Sequence, residues 1–310
     1  MKQFLLRIGT RGSPLAMAQA HETRRLLSLA MGEPEGRFEI CIIKVMGDQI
    51  LDRALSESGG KGLFTKEIDE AQLAGEVDIS VHSGKDLPTK LPQGLIEAGF
   101  LEREDPRDAF ISLKAKSFMD LPAGAVVGTA SLRRQAMVRR LRPDLKVELL
   151  RGNVQTRLAK LKSGDVDATI LALAGLNRLG LAHEAAAILD MDGFLPAVAQ
   201  GAIGLVVREG DAKALAATQM ITHAQTTQCV AAERAFLTVL DGSCKTPIAG
   251  HATLADATLA RSSITLRGVV LSPDGTQCFE GTETGFDAHL VGNVLGQRIK
   301  QQLPHDIFHV

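Results

Sequence analysis

Tryptophan and tyrosine are absent from this 310-residue sequence, and its aromatic content of 4% comes entirely from 11 phenylalanines. Flat rings on which successive bases stack are nearly lacking, and no helix-turn-helix or RNA-binding signature occurs, so a nucleic-acid-binding module is disfavoured. An excess of either charge is lacking too. Lys and Arg number 35 against 36 Asp and Glu, leaving −1 at pH 7. Nothing draws the whole chain to nucleic acid or to an anionic membrane, and any basic patch must be local. Long apolar runs are missing: the longest, Ala168 to Leu176, falls far short of a membrane span. The start, MKQFLLRIGT, is broken by Arg7 and is too short to read as a signal peptide. Cys41, Cys229, Cys244 and Cys278 form no CxxC pair and have no histidines at metal spacing, so no metal is expected. Reduced thiols in a cytoplasmic protein fit this usage best. Neither GxGxxG nor GxxxxGKS/T occurs, which argues against a phosphate cofactor.

What is present is an ordinary globular composition, 45% hydrophobic and 23% charged, with length for two or three domains. The spacing predicts strands at Leu5–Gly9, Phe38–Val45, Gly94–Phe100, Ala109–Leu113, Ala125–Gly128, Lys146–Leu150 and Asp167–Leu173. A further strand is expected within Gln200–Arg208. Helices are predicted from Pro14 to about Ala30, over Leu63–Ala74, after Ser131 and over Val154–Lys162, with a turn beginning at Gly175. This strand–loop–helix order predicts mainly parallel sheets with helices on both faces. The charged segment LEREDPRD reads as a crossover between domains. From Gln225 the character changes to a long amphipathic helix, two or three alternating strands and a final helix near Ala288–Gln302, a small α+β unit. The polar stretch from Gly47 to Lys61 reads either as a lid or as a plain surface loop.

The chemistry concentrates where predicted strands end. In DISVHSGKDLP, the apolar residues Ile79 and Val81 deliver His82, Ser83, Lys85 and Asp86 to a turn, and Asp86 is a lone carboxylate. The loops carrying Arg11, Asp86, Arg133 with Arg134, and Arg151 all leave the carboxyl end of a strand, which argues for one convergent cleft. Ser13 before Pro14 is a good helix start, where free backbone N–H groups favour an anion. Between Arg133 and Lys162 stand ten Lys or Arg and two acidic residues. Arg139, Arg140, Lys160 and Lys162 read as a solvated helix face. Arg133, Arg134, Arg151 and Arg157 sit at strand exits and helix starts, where guanidinium groups grip carboxylates or phosphates. A small polyanion, best a polycarboxylate, fits that cleft. Cys244 alone among the cysteines lies in a Gly- and Pro-bounded loop beside a cation, Lys245. It reads either as an inert small hydrophobe or as a thiol biased toward thiolate.

These residues stand in strings that resemble the porphobilinogen deaminase (hydroxymethylbilane synthase) family: LRIGTRGSPLAMAQA, GGKGLFTKEI, DISVHSGKDLPT, EREDPRDAF, GTASLRRQ, RGNVQTRL, LALAGLNRLG, LPAVAQGAIG and GSCKTPI. They cover nearly the whole chain in order. The resemblance implies a transferase that deaminates four porphobilinogens and condenses them head to tail onto a covalent dipyrromethane primer, then releases hydroxymethylbilane by hydrolysis. It implies a thioether to Cys244 and Asp86 as the catalytic carboxylate, holding pyrrole N–H groups and the cationic azafulvene left when ammonia departs. Cofactor contacts are implied for Lys85, Asp86, Thr129, Ser131, Arg133, Arg134 and Arg157. Substrate contacts are implied for Arg11, Ser13, Gln19, Lys61, Ser83, Arg151, Arg157, Arg178 and Gln200. The implied fold is α/β, two doubly wound lobes resembling type II periplasmic binding proteins, with a small C-terminal α+β domain. Expected boundaries are 1–101 with 200–219 for the first lobe, 102–199 for the second and 220–310 for the third domain. A cytoplasmic monomer acting on a small molecule is expected, without nucleic acid or membrane. Val45, Gly84 and Ala130 depart from residues common in the family. The competing reading is a non-catalytic two-lobed binding protein for a small dicarboxylate.

Overall fold

The computed structural model describes residues 4–46, 64–242, 246–256, 258, 262–305 and 307–308. The expected lid over 47–61, Lys61 and the proposed anchor Cys244 lie outside these residues. In chain order the first elements are β1 (Leu6–Thr10), α1 (Pro14–Met31), β2 (Phe38–Ile42), α2 (Lys66–Leu73), β3 (Ile79–Ser83) and β4 (Leu95–Phe100). Next come β5 (Asp108–Ser112), β6 (Val126–Gly128), α3 (Leu132–Leu141), β7 (Lys146–Glu148), α4 (Val154–Ser163), β8 (Ala168–Ala172), α5 (Leu173–Arg178) and β9 (Ala187–Ile188). The chain closes with β10 (Ile203–Arg208), α6 (Ala212–Gln219), α7 (Ala224–Val239), β11 (Ile248–Leu254), β12 (Ile264–Leu271), β13 (Cys278–Gly285) and α8 (Ala288–Lys300).

Two five-stranded sheets share one plan. The first has the order β2-β1-β3-β10-β4 and the second β7-β6-β8-β5-β9. In each, the first three strands are parallel and the fourth runs against both its neighbours. That reversed strand is the one whose chain has just crossed from the other lobe. The central strands are apolar on both faces, as strands covered on both sides must be. A third, antiparallel sheet, β11-β12-β13, packs on α7 and α8 around Phe236, Leu266 and Leu295. Three details depart from the sequence reading, the first being the short edge strand β9, which it did not include. The expected turn at Gly175 is the short helix α5. The helix α6, started by Asp211 accepting from the Ala214 N–H, was not anticipated.

The lobes are joined by two segments, 101–107 outward and 195–202 in return, bonded to each other. Arg103 donates from Nε to the Gln200 carbonyl at 2.9 Å and Gln200 donates from Nε2 to the Pro106 carbonyl at 2.7 Å. Gly201 has φ +90 and its added Cβ would lie 2.4 Å from the Glu104 carbonyl oxygen, so only glycine fits the return path. The third sheet unit is docked at the same place. Buried Glu233 of α7 takes a bidentate pair from Arg103 at 2.6 and 3.1 Å and also accepts from the backbone N–H groups of Ala199 and Ala252. A carboxylate with that many donors is worth burying. Gly84 is explained here as well: a side chain there would press on Ala199 and Ala202, 3.1–3.2 Å away.

Candidate active site

Helix starts meet at the carboxyl edges of both sheets. Ser13 caps α1 by accepting from the Ala16 N–H at 3.4 Å, with Pro14 as the first helical residue. Ser131 caps α3 through the Arg134 N–H, and Asn153 caps α4 through the Thr156 N–H at 2.8 Å. The starts of α1 and α4 border a cleft of about 530 Å³. Their free N–H groups and dipoles favour negative charge in it.

Five cations line this cleft, Arg11, Lys85, Arg134, Arg151 and Arg157, against a single carboxylate among the described residues, Asp86. Asp86 ends the 3-10 turn Gly84–Asp86 directly after β3. Its side chain is 31% exposed and lies 4.0 Å from the Arg11 guanidinium, which rests 4.4 Å over the Phe64 ring. Burial and then repulsion by Arg134 pull the Lys85 ammonium down to about 8, against Asp86 and Asp108. Burial, with Arg134 and Arg151 adding to it, lowers Arg157 to about 10. His82 also lines the cleft; burial and Arg11 push it to about 4, so its imidazole is neutral, and its Nε2 has no hydrogen-bond partner. A wall this rich in cations is short of negative charge, which an anionic ligand supplies.

The structure sorts the residues singled out by sequence. Arg11, Ser13, Gln19, Ser83, Lys85, Asp86, Arg134, Arg151 and Arg157 line the cleft. Gln19 and Ser83 bond each other at 2.9 Å, which orients both. Thr129 and Ser131 are occupied locally: the Thr129 hydroxyl accepts from the Ser131 N–H. Arg133 is turned away from the lining. It donates to Asp108 at 2.6 Å and to the Leu195 carbonyl at 2.7 Å, because helix geometry sends it into the lobe beside its neighbour. Gln200 is buried between Lys85 and Asp108. Arg178 stands outside the lining as well; it ties α5 to Glu22 of α1 at 3.1 Å and to the Gly201 carbonyl. Sequence reasoning missed Asp108 and Phe64. Asp108 sits fully buried at the start of β5 and accepts from both Arg133 and Arg134. Only its place directly before an apolar run hinted at burial.

Comparison with known proteins decides the family. Residues 6–216 match the family model described as porphobilinogen deaminase, dipyromethane cofactor binding domain, and residues 227–301 match that of the porphobilinogen deaminase C-terminal domain. This chain belongs to the porphobilinogen deaminase family. It is 53% identical over 307 residues to the porphobilinogen deaminase of Nitrobacter hamburgensis, covering 98% of this chain and 96% of the relative. It is 55% identical to the chloroplastic porphobilinogen deaminase of Oryza sativa, over 96% of this chain and 84% of that one. Among solved structures, a periplasmic substrate-binding protein from Coxiella burnetii aligns at a TM-score of 0.43 and 15% identity, over 74% of this chain and 96% of that one. The two matched sheets and the small third unit are the architecture expected for the family. Among the described residues no helix is long and apolar enough to cross a membrane.

Proposed function

We propose that this chain is a hydroxymethylbilane synthase, a transferase of tetrapyrrole and haem biosynthesis. It deaminates four porphobilinogens, condenses them head to tail and releases the linear product by hydrolysis. The observation that carries the reading is the cleft in which, among the described residues, one half-exposed carboxylate, Asp86, faces five cations. Each porphobilinogen brings two carboxylates, so the growing chain accumulates negative charge that needs such a lining, while loss of ammonia leaves a cation that needs one anion.

The residues present fit an acid-bearing pyrrole cofactor. The Nε atoms of Arg133 and Arg134 are buried without a hydrogen-bond partner. They remain as donors after Asp108 and two carbonyls have been served. The dipyrromethane, when bound through a thioether to Cys244, supplies the free pyrrole carbon to which the first substrate is joined. Lys85, Thr129, Ser131, Arg133, Arg134 and Arg157 would hold its acid groups and Asp86 its N–H groups. Arg11, Ser13, Gln19, Ser83 and Arg151 would receive the incoming substrate, with Lys61 beside them. Arg157, Arg178 and Gln200 are proposed substrate contacts as well. Asp86 steadies positive charge at the carbon that loses ammonia, and neutral His82 keeps a further cation out of the wall. Holding both partners in one cleft makes each condensation effectively intramolecular. The lobes proposed at 1–101 with 200–219 and at 102–199, and the third domain at 220–310, accord with the crossovers at 101–107 and 195–202. The cleft is lined from one chain, so a monomer suffices; a cytoplasmic setting accords with the thiol usage.

Intact-mass spectrometry with an ammonia assay tests this. The purified chain is expected above its 33.1 kDa sequence mass by a covalent adduct and to release ammonia from porphobilinogen. Cys244→Ala is expected to lose both. Reversible dicarboxylate binding without ammonia release by the wild type would overturn the reading in favour of a binding protein.

A further inference from the structure

We propose that Asp108 is a positioning residue for the cleft: through Gln200 it holds Lys85 of the first lobe off Asp86, while it anchors both arginines of α3 in the second. This rests on the reading of the cleft given above. Asp108 accepts from Arg133 Nη2 at 2.6 Å on one oxygen, and from Arg134 Nη2 at 2.7 Å and Gln200 Nε2 at 2.8 Å on the other. An ion pair serving the fold alone would need only the arginines. The third donor carries the contact across the lobes. Gln200 gives its amide N–H groups to two acceptors, Asp108 and the Pro106 carbonyl, so the amide cannot turn over. Its Oε1 is thereby presented to Lys85 Nζ at 3.2 Å. The residue before it is fixed too: Ala199 takes the left-handed φ of 58 and donates its N–H to Glu233 at 2.7 Å.

The consequence falls on Asp86. Lys85 is its sequence neighbour and carries an ammonium that would neutralise it. Lys85 instead bonds Gln200, and the ion pair of Asp86 among the described residues is the long one to Arg11. Asp86 is left with charge to spare for a cationic carbon. With asparagine at position 108, the side chain can donate or accept, the Gln200 amide loses its fixed orientation, and the ammonium of Lys85 loses both its acceptor and a stabilising negative charge.

The test reads Lys85 directly. Wild type, Asp108→Asn, Asp108→Glu and Gln200→Leu are acetylated with trace acetic anhydride from pH 6 to pH 10, and the Lys85 peptide is quantified by mass spectrometry. The groups facing Lys85 are Asp86 on its own turn, Arg133 and Arg134 on α3, Asp108 on β5 and Gln200 in the return crossover. The wild-type midpoint is the reference against which each variant is read. Asp108→Asn is expected to lower it; a midpoint lower by about 0.5 raises the reactive amine at pH 7 about threefold. Asp108→Glu is expected to restore part of the wild-type profile. Gln200→Leu leaves the arginine pairs in place and is expected to move the midpoint the same way by less; it carries the test if Asp108→Asn does not fold. A Lys85 profile unchanged in Asp108→Asn, or in Gln200→Leu where that stands in, overturns the proposal. Porphobilinogen turnover by the wild type is measured alongside. Its absence would overturn the functional reading, while the Lys85 titration still decides the role of Asp108.

Discussion

Asp86 and Asp108 are both aspartates set among arginines, and they do opposite things. Asp86 is half-exposed, with one ion pair, at 4.0 Å, among the described residues. Asp108 is fully buried, with three donors within 2.8 Å. Burial by itself would raise the Asp108 carboxyl, but Arg133 and Arg134 outweigh it and hold the group far below the usual carboxylate range. A saturated carboxylate has nothing left for a ligand, and an unsaturated one does. The matched sheets make the contrast sharper. β3 and β8 occupy the same place in the two sheet orders, yet β3 leads into Lys85 and Asp86 while β8 leads into the apolar start of α5. One lobe presents the carboxylate, and the other presents Arg134, Arg151 and Arg157 over an apolar floor that includes Leu171 and Ala172. Asp69 of α2 completes the series. It is buried, one of its oxygens has no hydrogen-bond partner, and burial raises it to about 6.

The largest effect expected from this comparison is on the fold. Asp108→Ala leaves two buried guanidinium groups uncompensated and should cost about 3–5 kcal/mol, read as a lower denaturation midpoint at unchanged slope. A midpoint within error of the wild type would erase the distinction between the two carboxylates. Next comes Asp86→Asn. It should fold with a wild-type melting temperature and lose about 100-fold or more in kcat, since a stabiliser of developing charge is worth at least that much. Wild-type turnover in that variant would remove Asp86 from the chemistry. The smallest effect belongs to Asp69→Asn. A carboxyl raised to about 6 in the folded state costs stability as pH climbs from its unfolded value of 3.8 through 6, and the full cost remains above that. The variant should therefore raise the melting temperature at pH 8 and leave it nearly unchanged at pH 4. An equal gain at both values would place the cause outside ionisation.

Much of the site was legible because its signals are local. Ser13-Pro14 and Arg151-Gly152-Asn153 mark helix starts whatever surrounds them, and apolar runs before them mark strand exits. The convergence of Arg11, Asp86, Arg134 and Arg151 followed from strand exits sharing one edge. The tie from Arg178 to α1 was not legible, because a cation at a helix end looks the same whether it faces a ligand or Glu22 of another lobe. Asp108 went unnoticed because an acid within EDPRD looks like part of a solvated crossover. The helix α6 is short and its apolar residues are nearly all alanines, which mark a periodic face only weakly.

Local rules in the chain itself therefore determined the strands, the capped helices, and a strongly cationic lining with one lone aspartate. Tertiary structure alone decided which member of each like pair meets the cleft. Arg133 and Arg134 are adjacent on α3, about 100° apart around the helix, and only the packing of β5 and the return crossover against that helix sets both on Asp108 while leaving Arg134 alone of the two at the cleft wall. Ion pairing depends on distances between residues far apart in sequence, and those distances exist only once the lobes have formed.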